Sequence, residues 1–152
     1  MDEPSRKVAD YLASHRVAVI ATTDGERPWA STVYYAAAGF DLVINTPAST
    51  RMLRNIHQKA PVAYAIDERV PDLFLQGEGD ACELARGSDW DQAAALLGEK
   101  VPEAHVGAPG FTIVKVATRR LVLSDFREGF RPPLVMDFGG QSRGAEVSGH
   151  AS

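Results

Sequence analysis

The sequence predicts a mainly β protein with a few small helices, an antiparallel and closed or nearly closed barrel of about six short strands. Two observations carry this reading, and one physical requirement selects the closed form. Runs rich in β-branched and aromatic residues recur along the chain and are broken by turn-forming residues such as Asp24-Gly25. The first three runs are joined by turns too short for a crossover, so they must form an antiparallel meander. Closing such a sheet on itself removes the exposed strand edges that would otherwise invite aggregation.

The elements follow in order. Ser5 is placed to cap a short helix reaching Ser14, in which Val8, Tyr11 and Leu12 recur at helical spacing and share one face. The period then changes. Val17 to Thr23 is a strand that ends at the Asp24-Gly25 turn. Pro28 to Tyr35 is the return strand, with Pro28 at its first position, where a missing N–H costs least. Ala36 to Gly39 turns the chain into a third strand, Phe40 to Asn45. Thr46-Pro47-Ala48-Ser49-Thr50 reads as a loop, followed by a short helix whose apolar face is Met52, Leu53 and Ile56. Val62 to Ile66 is the fourth strand. Leu73 to Leu84 is the fifth, interrupted by Gly77 and Gly79, which mark a bulge or a close backbone approach. An Ala-rich helix from Trp90 to Leu97 is capped by Ser88 or Asp89. Phe111 to Val116 and Arg120 to Asp125 form one long bent strand or two short ones. The folded domain is expected over residues 1–138, and the small, polar segment 139–152 as a disordered tail.

Composition narrows the function. The formal charge of -4 lacks the basic footprint of a nucleic-acid binder. No run approaches the roughly eighteen consecutive apolar residues of a membrane span, and the polar, acidic start does not resemble a secretory signal, so a cytoplasmic protein is expected. The single cysteine, Cys82, excludes an internal disulfide and reads as a small buried hydrophobe on a strand. The four histidines, His15, His57, His105 and His150, are scattered without metal-ligand spacing, so no metal is expected. The phosphate-loop, dinucleotide, zinc-protease and serine-hydrolase motifs do not occur.

One segment concentrates polar chemistry. Thr46, Ser49, Thr50 and Arg51 place three hydroxyls and a guanidinium at a loop-to-helix junction. A helix N-terminus offers unpaired N–H groups and a positive dipole end, so this pattern suits a phosphate. The competing reading is plain capping by Ser49 or Thr50 with a solvated Arg51. Trp29, Tyr34 and Tyr35 on the second strand are candidates for a pocket wall, and equally for core or interface aromatics.

Taken in order, Asp24-Gly25-x-x-Pro28, the strand pair ending at Asn45-Thr46, Ser49-Thr50-Arg51 with Asn55, Ala60-Pro61-Val62-Ala63-Tyr64, and Gly79-Asp80-Ala81-Cys82-Glu83-Leu84 form a series. This series resembles the flavin-binding split-barrel family related to pyridoxamine 5′-phosphate oxidase, and the likeness runs from residue 6 to residue 125. No single element is specific; their order and spacing carry the resemblance. It implies an antiparallel split barrel that binds FMN at a homodimer interface and acts as an oxidoreductase on a small-molecule substrate. Carried onto this chain, Thr46, Ser49, Thr50 and Arg51 would hold the phosphate, and Ser31, Thr32, Val33 and Tyr34 would meet the ring. Phe40, Tyr64 and Phe74 are expected to supply apolar interface area. The family also includes members that use the deazaflavin F420, members that bind haem, and members without shown activity, so those cofactors stand as alternatives. Catalytic residues are not identified.

The chain departs from the family at Met52, where many members carry a second basic residue after the phosphate arginine; restoring it as lysine is expected to tighten FMN binding. The enzyme that oxidises pyridoxamine phosphate has basic residues where this chain has Ser31 and Ala36, so the resemblance does not extend to vitamin B6 oxidation itself.

Overall fold

A computed structural model describes residues 1–69 and 71–139. The tail expected from residue 139 onward therefore lies, past that residue, outside the described residues. The elements are α1 (Glu3–Ser14), β1 (Val17–Thr23), β2 (Pro28–Ala38), β3 (Asp41–Pro47), α2 (Arg51–Gln58), β4 (Pro61–Asp67), β5 (Leu73–Glu83), α3 (Ser88–Lys100), β6 (Phe111–Asp125) and β7 (Leu134–Asp137). Pro102–Ala104 forms a 3-10 turn between α3 and β6.

The strands run in the order β3-β2-β1-β4-β5-β6-β7, and β3 also pairs with β6. That extra pairing closes the first six into an antiparallel barrel, with β7 added outside β6. The long strand β6 makes this possible. Its first half, Phe111–Val116, pairs with β3, and Arg120–Leu123 pairs with β7, while β5 runs alongside both halves. Gly77 and Gly79 are needed where β5 turns. A Cβ at Gly77 would lie 2.2 Å from the Tyr64 ring, and one at Gly79 2.2 Å from the Ala117 carbonyl, beside a register shift at Glu78/Gly79. Both the bulge and the close approach expected there are present.

The interior is lined by Ile20, Leu42, Ile44, Ile66, Leu75, Val114, Val116 and Leu121, all fully buried. Helix α1 adds Val8 and Leu12 at one end, where the Tyr35 hydroxyl donates to the Leu12 carbonyl (2.7 Å) and the Tyr11 hydroxyl to the Ile66 carbonyl (2.9 Å). Helix α2 closes the other end with Met52, Leu53 and Ile56, and Asn55 Nδ2 donates to Thr22 Oγ1 (3.1 Å). Helix α3 packs outside the barrel, where Ala93 and Leu97 meet Ala36, Val43 and Ile113. Strand β3 is covered on both faces, which explains why its residues are buried from Asp41 to Thr46.

Several local expectations are corrected. The N-cap of α1 is Asp2, whose carboxylate accepts from the Ser5 N–H at 2.8 Å, because Pro4 suits the first helical turn and moves the start upstream of Ser5. Gly87, not Ser88 or Asp89, precedes α3, which starts earlier and ends later than its Ala-rich centre. The second strand continues to Ala38, since the chain reverses only at Gly39, with φ of 65°. Cys82 is exposed, because residues alternate along β5 and it is Ala81 that faces inward. Tyr64 is 3% exposed and points into the barrel, where its hydroxyl lies 2.8 Å from Thr118 Oγ1, so it contributes no interface. Phe40 and Phe74, expected at an interface, are half-buried and stand beside Phe138 and Phe126, at ring separations of 5.8 and 6.2 Å. No helix among the described residues is long and apolar enough to cross a membrane.

Candidate functional site

The cavity of interest follows from how β2 divides its pairing. Residues Pro28–Tyr34 pair with β1, whereas only Tyr35–Ala38 pair with β3. Beyond the Tyr35–Ile44 pair, β3 continues along β6 and β2 along β1, so the two strands part. Over residues 28–34 no strand among the described residues pairs with the second edge of β2. Hydrogen bonding alternates along an antiparallel strand. The Tyr35 N–H donates to the Arg16 carbonyl on the β1 side, so Thr32 directs its N–H and C=O to the open edge.

A cavity of about 390 Å³ fills the gap. Ser31, Thr32, Val33 and Tyr34 form one side; Asn45, Thr46 and Pro47 of β3 form another; Thr50 and Met52 of α2 form the floor. Glu103, Ala104, His105 and Phe111, from the segment between α3 and β6, complete it. Thus six of the eight residues singled out by the sequence, Ser31 to Tyr34 with Thr46 and Thr50, share one cavity. Ser49 and Arg51 are adjacent in sequence but do not line it. Ser49 is exposed and its carbonyl accepts from Arg54. The Arg51 guanidinium stacks on Trp29, 4.3 Å from the ring centre.

The Thr50 hydroxyl accepts from the Leu53 N–H at 3.2 Å and so caps α2, as the capping reading holds. It also lies 3.4 Å from Thr46 Oγ1, so two hydroxyls meet at the helix start on the cavity wall. The outer mouth carries charge. Arg16 forms an ion pair with Glu103 and lies 5.6 Å from the Tyr34 ring centre. The hydrogen bond from Arg16 holds the Glu103 carboxyl below the usual carboxylate range. Asn45 is 8% exposed; its Nδ2 donates to the Ala104 carbonyl at 2.6 Å, and its Oδ1 has no hydrogen-bond partner among the described residues.

Sequence reasoning missed Glu103, His105 and Phe111, because nothing in the spacing tells that the segment after α3 folds back over β2 and β3. Of the two readings of Tyr35, the core one holds, since it is fully buried; Met52 is 1% exposed and packs into the barrel core beneath the cavity. Ala36, which stands where the enzyme that oxidises pyridoxamine phosphate has a basic residue, is sealed beneath α3. Among the described residues no group of three or more His, Cys, Asp or Glu could hold a metal ion.

A six-stranded barrel parted between two strands, with hydroxyls at a helix start beside the opening, defines the split-barrel class. Residues 5–124 match the pyridoxamine 5′-phosphate oxidase family, and the chain belongs to that family. Solved structures agree on the fold. A heme binding protein from Mycobacterium smegmatis superposes with a TM-score of 0.76 at 20% identity, over 91% of this chain and 59% of that one. This chain therefore spans less than two thirds of the length of that relative. The General Stress Protein 26 of Bacillus anthracis gives 0.67 at 13% identity, covering 88% of this chain and 97% of that one. HutZ, the heme storage protein of Vibrio cholerae, gives 0.64 at 17%, covering 76% and 89%. No curated protein matches the sequence.

Proposed function

We propose that this chain binds FMN in the cavity between β2 and β3 and serves as a flavin-dependent oxidoreductase acting on a small molecule. The observation that carries the proposal is the open edge of β2 facing two threonine hydroxyls at the start of α2. A flavin is a flat ring with a hydrogen-bonding edge, joined to a phosphate. The N–H and C=O of Thr32 suit the ring edge, and Val33, Pro47 and Phe111 offer apolar walls to its faces. Thr46 and Thr50 suit the phosphate, with the dipole of α2 and the charge of Arg51 close by.

When bound, FMN supplies the hydride or electron transfer. The protein holds the ring, orients it and keeps water from its covered face. A second copy of the chain is part of the proposal. The outer face of β1, β2 and β4 is unusually apolar: Val17 and Val19 are 43% and 41% exposed, and Ala21, Ala30 and Ala63 lie beside them. Such a face suits an isologous dimer, and Tyr34, on the same face, carries it to the cavity mouth.

Purified protein should show the two-banded visible spectrum of oxidised flavin, or acquire it on adding FMN with quenching of the flavin fluorescence. A protein that neither carries nor binds FMN at micromolar concentration would refute the proposal. Two observations favour a second reading. His105 lines the cavity, and two structural neighbours are described as haem proteins. A Soret band on adding haemin that is lost in His105→Ala would select haem.

A further inference from the structure

The cavity wall contributed from outside the barrel is the strap Val101–His105, which packs beneath α3 through Val101 and Ala104 and reaches the cavity mouth through Glu103. We propose that Arg16 and Glu103 are positioning residues whose ion pair latches this strap over the bound ligand and sets how long that ligand stays. The proposal rests on the reading of the cavity as the ligand site.

Val101 anchors the start of the strap, fully buried in the cluster beneath α3. Beyond it Ala104, also buried in that cluster, holds the strap by packing, and two polar ties add to it: the Arg16–Glu103 ion pair, with side chains 47% and 45% exposed, and the hydrogen bond from Asn45 Nδ2 to the Ala104 carbonyl. Arg16 lies in the short link between α1 and β1, and its guanidinium also rests over the Tyr34 ring. One cation thus joins that link, the ring-facing strand and the strap.

Two features work against closure. Asn45 Oδ1 is buried without a partner while the strap is down, and lifting the strap would let water reach it. His105 adopts φ of +60°, one of only two positive values at non-glycine residues among those described. On its far side the strap leads into Gly107 and Gly110, with φ of +83° and +82°, which absorb backbone movement readily. The closed strap therefore carries its own opposition, and a surface ion pair is the tie that a ligand-sized opening must break.

The test uses Glu103→Gln, which keeps the side-chain size and removes the charge, and the swapped pair Arg16→Glu/Glu103→Arg. Amide hydrogen exchange of the strap is measured without ligand, and the dissociation rate of FMN by stopped-flow fluorescence. Exposed ion pairs are weak, so Glu103→Gln should speed strap exchange by about three- to fivefold and FMN release by a similar factor. The swapped pair should restore both. Unchanged strap exchange in Glu103→Gln overturns the latch. Faster exchange with wild-type FMN release also overturns it, since the pair would then be a structural tie without a role in the site. If the wild type binds no FMN, the cofactor reading fails, and the exchange comparison with the swapped pair decides the latch alone.

Discussion

Replacing Thr50 with aspartate separates two roles that one hydroxyl combines. The hydroxyl caps α2 by accepting from the Leu53 N–H and stands beside Thr46 Oγ1 on the cavity wall. Aspartate caps at least as well as threonine, and its charge at a helix start adds about 0.3–1 kcal/mol. Thermal unfolding of Thr50→Asp should therefore match or exceed the wild type. The phosphate of a bound ligand would meet the opposite circumstance. A carboxylate and a phosphate charge about 4 Å apart repel by about 4 kcal/mol at the effective dielectric of a protein surface. If half of that survives solvent screening, about 2 kcal/mol, affinity falls about thirtyfold.

The contrasting variant is Thr50→Val, which keeps the shape and loses the cap. It should cost about 1 kcal/mol, or about 4 °C in the unfolding midpoint, and weaken FMN far less than aspartate does. The assays are a thermal melt without ligand and a titration followed by flavin fluorescence quenching. A well-folded Thr50→Asp protein that binds FMN within twofold of the wild type would show that the phosphate does not lie at this helix start.

Further outcomes follow from the same geometry. Met52→Lys, expected from the family pattern alone to tighten FMN binding, should instead lower the unfolding midpoint, because Met52 is 1% exposed and a lysine there must desolvate its charge. Gly77→Ala should destabilise by about 1–3 kcal/mol in chemical denaturation, since its Cβ would meet the Tyr64 ring, which the Thr118 hydroxyl holds in place. Glu83 accepts from Thr112 and pairs with His57, which keeps its carboxyl below the usual 4.5. That contribution is full at neutral pH and is lost as pH falls below 4.5, so Glu83→Gln should flatten the acid limb of a stability profile. Val19→Glu, on the exposed apolar face, should keep the circular dichroism spectrum of the wild type and yield monomers by sedimentation if that face joins two copies.

How much of this was legible in the sequence depends on whether the signal was local. The meander up to β3, the start of α2 and the two close-approach glycines were legible because turn residues, caps and alternation act over a few positions. The strand β7 was not. Its four residues follow Pro132-Pro133, too short a run to stand out, and it exists only because the second half of β6 offers a free edge. Burial on the outer sheet face was not legible for the same reason. Alternation tells which residues share a face, but only the docking of α3 over β2 and β3 decides that Ala36 is sealed while Val19 is bare.

The site depends on this non-local arrangement in a further way. Of the six named residues that line the cavity, Thr46 and Thr50 were named from a local helix-start pattern and Ser31 to Tyr34 through the family resemblance, yet a strand edge or a helix start alone makes no cavity. The cavity exists because β2 spends its first seven residues on β1 and only its last four on β3. The parting lies beside the start of β1, at Arg16, whose carbonyl takes the Tyr35 N–H and whose side chain reaches Glu103 on the strap. The backbone of one residue thus marks the top of the split and its side chain ties the cover over it. The same short link between α1 and β1 therefore bears on both the width of the cavity and access to it, although no pattern of residue spacing around position 16 announces either.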